Sequence, residues 1–329
     1  MLVESIRYLQ NSSDRIDTFL SSVYKNISRS QFKYIIKEGH VTINGKVAKS
    51  SSILNFNDKI SISNFEVSNN NNNEIEPEKI SLDIIFEDDD ILVINKKSGI
   101  IVHPGAGNYN GTIANGIQYY LRNSKKNIKR AGIVHRLDKE TSGVLIIAKN
   151  NFSLMNLSEQ FYNREVHKEY IAFALGEVPL QGEIKGYLSR NNRNRKIFSF
   201  TSNELKGRFS HTVYRRLFYN HPISIVKLFP STGRTHQIRA HLKSIGKPII
   251  ADSSYSGGKE VIKSFHSDYS SFLKRIYKII NRVALHAYKL EIRHPVSMKK
   301  MVFKVDLPND MMLAKKLIKN MDFDHENSQ

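Results

Sequence analysis

The run from Gly132 to Lys149 reads Gly-Ile-Val-His-Arg-Leu-Asp-Lys-Glu-Thr-Ser-Gly-Val-Leu-Ile-Ile-Ala-Lys, and it sets one carboxylate, Asp138, between cations and just ahead of an apolar segment. An aspartate, with an ordinary pKa of about 3.9, is ionised at neutral pH and so is ready to react. Thr141, Ser142 and Gly143 form a small-residue turn leading into Val144 to Ala148, which has the composition of a buried strand. A group mounted on the rim of such a strand is held rigidly, as a reacting group must be. Taken alone, an Arg-x-Asp triplet far more often describes a surface loop tied by an ion pair.

Two further segments carry polar groups at the edge of ordered elements. Lys168-Glu169-Tyr170-Ile171-Ala172 opens a strand with a tyrosine, a residue that in this place is ordinarily core. Thr232 to Leu242 carries Arg234, His236 and Arg239 along a stretch whose Ile238, Leu242 and Ile245 mark an apolar helical stripe. Its arginines therefore also fit a plain basic helix face. Cysteine is absent, which excludes disulfides, thiolate catalysis and the Cys-ligated zinc of base deaminases. His236 and His241 lack a His-Glu-x-x-His frame. Gly105-x-Gly107 is followed by Gly111 one residue too late for a dinucleotide fingerprint, and Gly39 to Lys46 misses the P-loop spacing. Neither a metal site nor a cofactor is expected.

Together the three segments resemble the signature motifs of the RluA/RluD family of pseudouridine synthases. The resemblance extends to Leu82–Asp88, Asn95-Lys96, Val102–Asn108, Leu285-His286-Ala287 and His294-Pro295, and so covers nearly the whole chain. It implies that Asp138 is the nucleophile, that Tyr170 packs against the target base and that Arg239 pairs with the nucleophile. Arg136 would enter the space a flipped base leaves, with His135, Arg234 and His236 as further RNA contacts. The chain departs from the pattern at Lys97, where a proline is usual, and at Ala251-Asp252-Ser253-Ser254-Tyr255-Ser256, which replaces a Gly-Asp-x-x-Tyr-Gly turn. The implied reaction breaks the C1′–N1 bond, turns the uracil and joins C1′ to C5 without net redox change. The carboxylate would attack the sugar or the base, or assist elimination at the sugar. Unstacking the nucleotide costs a few kcal/mol, which stacking on an aromatic, worth about 1–3 kcal/mol, and a guanidinium plane offset.

The elements that must position these groups follow from periodicity. Ser12 or Ser13 is expected to cap a first helix with Ile16, Phe19, Leu20 and Val23 on one face. Ser28 or Ser30 is expected to cap a second with Phe32, Ile35 and Ile36, ending at Gly39. Val41 to Val47 around Asn44-Gly45 predicts a hairpin, and Lys59 to Ser63 a further strand. This unit resembles the S4 RNA-binding domain through Arg15-Ile16-Asp17, Ser28-Arg29, Gly39 to Gly45 and Asn57 to Ile60. The resemblance places Arg29, Lys33, Lys37 and Lys46 near phosphates. Residues 1–67 are read as this domain, 68–79 as a flexible asparagine-rich linker, 80–310 as the catalytic domain, and 311–329 as a C-terminal helix and polar tail. Strands dominate the catalytic stretch without regular helix alternation, which predicts an α+β fold with a mostly antiparallel mixed sheet.

Fifty Lys and Arg against 31 Asp and Glu leave a net charge of +19, which suits a polyanionic partner. No apolar run approaches the roughly 18 residues of a membrane span, and Met1 to Gln10 lacks the apolar core of a secretory signal. A cytoplasmic, monomeric protein acting on RNA is expected. The resemblance implies 23S ribosomal RNA, with the helix 69 stem-loop as target. Lys125, Lys126, Lys129 and Arg130, and Arg190, Arg193, Arg195 and Lys196, are candidate phosphate contacts. A catalytically silent ribosome-assembly factor and a base-releasing glycosylase are the alternatives, and product analysis separates them.

Overall fold

The computed structural model describes residues 4–24, 27, 29–63, 75–105, 107–122 and 128–321. The chain forms two compact units, Met1–Glu74 and Ile75–Gln329. Ser28, Lys125, Lys126 and the tail from 322 lie outside the described residues, as do the side chains of Ser30 and Lys129.

In the smaller unit, β1 (Glu4–Arg7), α1 (Ile16–Val23), α2 (Arg29–Lys37), β2 (Val41–Ile43), β3 (Lys46–Val47) and β4 (Lys59–Ile62) build a helix pair over an antiparallel sheet of order β1-β4-β2-β3. Ile16, Phe19 and Leu20 of α1 and Phe32, Ile35 and Ile36 of α2 bury against Val41, Ile60 and Ile62, as their spacing predicts, whereas Val23, expected on the same face, is exposed at the end of α1. Each such side chain contributes about 1.5–3 kcal/mol. Asn44 and Gly45, at φ 50° and 80°, make the tight hairpin turn. The first helix corrects the expected cap: Arg15 holds the N-cap position and its side chain caps nothing. Ser12 lies too far upstream, where it and Asp14 both hydrogen-bond the buried Tyr8 hydroxyl.

The larger unit is built on β5 (Ile84–Glu87), β6 (Ile91–Lys96), β7 (Ser142–Ala148), β8 (His167–Leu175), β9 (Gln181–Arg190), β10 (Phe198–Thr201), β11 (Arg208–Asn220), β12 (Ile223–Pro230), β13 (Leu285–Arg293) and β14 (Lys300–Lys304). Its sheet runs β10-β9-β11-β12-β8-β13-β7-β6-β5, with β14 also on β13. Among the described residues β7–β13 is the one parallel pair, so the sheet is mixed and mostly antiparallel, as expected. Helices α3 (Ile113–Leu121), α4 (Asn151–Tyr162), α5 (Gln237–Ser244), α6 (Ser267–Ile279) and α7 (Asn309–Lys319) cover it.

Every residue of β7 is buried, because both of its faces are covered. Leu145 and Ile147 pack with Ile113, Ala114 and Ile117 of α3, whereas Val144, Ile146 and Ala148 pack with Leu157 of α4 and Phe303 of β14. Gly143 is required at its start: at φ 116° a Cβ there would lie 2.2 Å from the Ala287 carbonyl oxygen of β13. Residues 75–79, expected in the linker, belong instead to the larger unit. Asn115 of α3 donates to Glu76 O at 2.8 Å, and Glu78 accepts from Gly111 N at 2.6 Å. The C-terminal helix is likewise part of this unit, since Met311, Ala314 and Ile318 of α7 are fully buried in its core.

Candidate active site

Asp138 lies in the loop that feeds into β7, and neighbouring segments fasten that loop. Thr141 N–H closes a turn on Asp138 O at 3.1 Å. The Lys96 ammonium, buried at the end of β6, donates to the carbonyls of Lys97, Lys139 and Thr141 at 2.9, 3.1 and 2.8 Å. Ser98 Oγ and Arg282 Nη1 both donate to Glu140 O, at 2.7 and 3.2 Å. Burial pushes the Lys96 ammonium down to about 8, against the pull of the Asp138 charge. A loop tied through this many of its carbonyls holds its carboxylate in one place.

Arg239 and His236 approach Asp138 from α5 and its N-cap. Arg239 Nη1 donates to Asp138 Oδ2 at 3.3 Å, and His236 Nε2 lies 3.9 Å from the same oxygen. The Arg239 side chain is 9% exposed and that of Asp138 is 18% exposed, so the pair is sheltered while one carboxylate edge stays reachable. Burial disfavours the Arg239 charge, but hydrogen bonding and attraction from Asp252, with Asp138 adding to it, more than restore it and raise its pKa. Tyr170, on β8 between β12 and β13, comes near enough that burial first and the Asp138 charge second raise its pKa. Its hydroxyl stays protonated at neutral pH, and it has no hydrogen-bond partner among the described residues. The Asp138 charge therefore reaches both of the other groups that the motifs single out.

Gln237 locks the loop that carries Arg234 and His236. Its Oε1 accepts from Thr232 Oγ1 and Arg234 N at 2.6 and 3.0 Å, and its Nε2 donates to His211 O and Thr212 Oγ1 at 3.0 and 2.9 Å. His236 takes a left-handed backbone, φ 56°, as the helix starts. Burial lowers its pKa despite the Asp138 charge, so the ring is neutral.

The remaining predicted RNA contacts divide. Arg136 is exposed, and its charge reaches the His236 ring. His135 does not join it, and this corrects the expectation. Its ring stacks on Phe161 at 4.7 Å, and its Nε2 accepts from Ile146 N at 3.1 Å. Burial, helped by the Lys168 charge, pushes its pKa down to about 3. His135 is thus a neutral prop under β7. Arg234 is half-buried, with Nε on Phe209 O at 3.1 Å, and burial, Arg208 and Arg164 depress its pKa. Arg164 and Arg208 are exposed cations that sequence reasoning missed. Among the described residues none of Arg136, Arg164, Arg208 and Arg234 is ion-paired. In the smaller unit Arg29 and Lys33 surround the buried Asp17 at 3.0 and 3.8 Å, with Arg15 also at 3.0 Å, whereas Lys46 is exposed on β3.

Sequence reasoning also passed over Asp252 and Tyr255, which the structure brings to Arg239 and His236. The signal available was the Asp-x-x-Tyr spacing that survives in the altered 251–256 turn. Elsewhere Asp88, Asp90 and His294 bring ligand-type atoms together. Hydrogen bonds account for the cluster: His294 Nε2 lies 3.0 Å from Asp88 Oδ2, and its Nδ1 accepts from Ser297 N at 3.0 Å.

The RNA pseudouridylate synthase family profile matches residues 90–244, and the S4 domain profile matches residues 14–60. An uncharacterized RNA pseudouridine synthase of Chlorobaculum parvum is 37% identical over 313 residues, covering 93% of this chain and 94% of that one. The chain belongs to the RNA pseudouridine synthase family. Ribosomal large subunit pseudouridine synthase D of Buchnera aphidicola is 39% identical over 315 residues, 94% of each chain. The protein of that name from Escherichia coli is 35% identical over 299 residues, 91% of this chain and 88% of that one. The human RNA pseudouridylate synthase domain containing 4 structure shares the fold at TM-score 0.54 and 22% identity, over 72% of this chain and 93% of that one. The enzyme is accordingly an RNA pseudouridine synthase, an isomerase, with an S4 domain ahead of an α+β catalytic unit. Asp138, Tyr170 and Arg239 all fall inside the matched catalytic stretch, whereas Asp252 lies beyond it.

Proposed function

We propose that this synthase isomerises uridine in 23S ribosomal RNA, at the helix 69 stem-loop, with Asp138 as its nucleophile. The observation that carries the assignment of roles is the sheltered Asp138–Arg239 pair at 3.3 Å, with Tyr170 near enough to feel the Asp138 charge. The choice of RNA is supported by relatives named ribosomal large subunit pseudouridine synthase D and by the +19 charge. Attack on the sugar, attack on the base and assisted elimination all need the same thing of Asp138, an ionised and aligned carboxylate screened from bulk water. Tyr170 stacks on the extruded uracil, and Arg136 fills the place it left in the helix. Arg234, His236, Arg164 and Arg208 hold flanking RNA, while Arg29, Lys33 and Lys46 guide the larger RNA onto the S4 domain. The enzyme is read as a monomer working in the cytoplasm.

Asp138→Asn is the test, because the amide keeps the shape of the side chain and loses its nucleophilicity. Turnover is expected to fall about ten-thousandfold, roughly 5 kcal/mol of barrier, with RNA binding retained. Product analysis on 23S RNA fragments reads the outcome: pseudouridine at unchanged mass from the wild type and none from the variant. Loss of base would indicate a glycosylase, an inert wild type would indicate an assembly factor, and near-normal turnover in the variant would move the nucleophile elsewhere.

A further inference from the structure

Three consecutive carbonyls, those of Lys139, Glu140 and Thr141, follow Asp138, and two buried cations hold them. Lys96 takes the first and the third, and Arg282 Nη1 donates to the second at 3.2 Å. The two cations feel each other: burial depresses the Lys96 ammonium most, and the Arg282 charge adds to that. Arg282 sits just ahead of β13, buried, and the same Nη1 also donates to Val283 O at 3.2 Å and Leu285 O at 3.4 Å. Its other two nitrogens are committed elsewhere. Nε and Nη2 form a fork on Asp310 at 2.7 and 3.1 Å, and among the described residues Asp310 is the one anion paired with Arg282. Asp310 lies in the first turn of α7, where its Oδ1 also accepts from Met311 N at 2.8 Å. A second tie runs the same way. His286 Nε2 donates to Val305 O at 3.0 Å, between β14 and α7, which leaves Nδ1 to accept the Ser142 hydroxyl at 2.9 Å. The segment that follows Asp138 is thus fastened to the α7 end of the chain.

We infer that α7 is a latch on the catalytic loop, with Arg282 and Asp310 as positioning residues: Asp310 holds the Arg282 guanidinium so that Nη1 fixes Glu140 O, and with it the Asp138 carboxylate. The inference rests on the reading of Asp138 as nucleophile. Neither residue falls within 90–244, the stretch that the family profile matches. A guanidinium buried near a second cation is stable only where an anion compensates it. Deprived of Asp310, it turns toward water and releases Glu140 O, which then keeps only the Ser98 hydroxyl. A carboxylate that must meet its target in one alignment loses rate steeply with small displacements, whereas RNA affinity, spread over separate cations, does not depend on that alignment.

The decisive variant replaces the pair instead of breaking it. Arg282→Met combined with Asp310→Leu strands no charge, and apolar replacement of a buried ion pair is often neutral for stability. Its urea midpoint is expected to stay near that of the wild type, while kcat falls roughly 10- to 30-fold and KM for a 23S RNA fragment stays within about threefold. Met311→Ala is the control, because it removes fully buried packing from the next position of α7 and spares the pair. It should lower the urea midpoint and keep kcat, measured well below its unfolding temperature. A folded double variant with wild-type kcat overturns the inference, and so does a Met311→Ala protein that loses as much kcat as the double variant. Should the double variant fail to fold by circular dichroism, Asp310→Asn decides by the same two criteria. Asp310→Glu, which restores the anion, should then recover most of the lost kcat, and no recovery overturns the inference. Asp138→Asn, run alongside, separates the two claims. If it is active the nucleophile reading fails, and if it is inactive beside a fully active double variant, only this inference fails.

Discussion

Tyr170 carries two separable properties, a ring and a hydroxyl, and the two are expected to do different work. Burial and the Asp138 charge keep its proton in place. Tyr170→Phe therefore should bind RNA within about threefold of the wild type, since the stacking face survives, and lose roughly a hundredfold or more in turnover, in the range of general acid–base contributions. Filter binding and single-turnover kinetics check the two halves separately, and full turnover in the variant would reduce Tyr170 to a stacking platform. Single residues also mark where sequence reading stops. Arg136 and His135 are neighbours in one motif, and the motif cannot say that one side chain stays exposed while the other turns under β7. Asp252 was visible only as part of an unusual turn, because its meaning depends on a guanidinium thirteen residues earlier on another element.

Elements were legible where periodicity is strong and opaque where it is diluted. The helices of the S4 unit announce themselves through Phe19, Leu20, Phe32, Ile35 and Ile36, and the hairpin through Asn44-Gly45. Strand β9 did not: Gly182 and Gly186 interrupt its alternation, and both are needed because a Cβ there would strike Tyr214 and Phe200. Within α1, Asp17 has no solvent exposure and is covered by Arg15, Arg29 and Lys33. Burial opposes its ionisation, but the hydrogen bonds and charges of Arg29 and Arg15 outweigh this and lower its pKa. Asp17→Ala should leave three cations facing one another and cost the S4 unit about 1–3 kcal/mol, less than a fully buried pair because the cations remain solvated. Hydrogen exchange of α1 and α2 amides reads this directly, and unchanged protection there would contradict it.

At the scale of the whole molecule, charge and buried histidines set how the protein responds to salt and pH. Removing residues 1–67 should weaken binding to large RNA and flatten its salt dependence, by a slope of about 0.7–0.9 for each phosphate that the shortened protein no longer neutralises, while some activity on a minimal stem-loop remains. An unchanged slope would deny the S4 unit its role. His135 and His241 are held neutral, chiefly by burial, with pKa values pushed to about 3 and about 4, against an ordinary value of 6.5. The unfolded chain takes up protons below about pH 6.5 that the folded chain refuses, so this stability is complete above pH 6.5 and is lost as the pH falls toward 4 and then 3. Urea midpoints at pH 7.5, 6 and 5 should fall in that order, and a flat series would mean that these rings are not buried and neutral. Strand order has a consequence in time. β7 and β8 follow each other in the chain but are separated in the sheet by β13, which arrives more than a hundred residues later. On the ribosome the strip carrying Asp138 and the strip carrying Tyr170 have no shared hydrogen-bond ladder until Leu285–Arg293 has emerged. A nascent chain therefore has no assembled catalytic centre until β13 has been threaded between β7 and β8, and its activity reports that insertion.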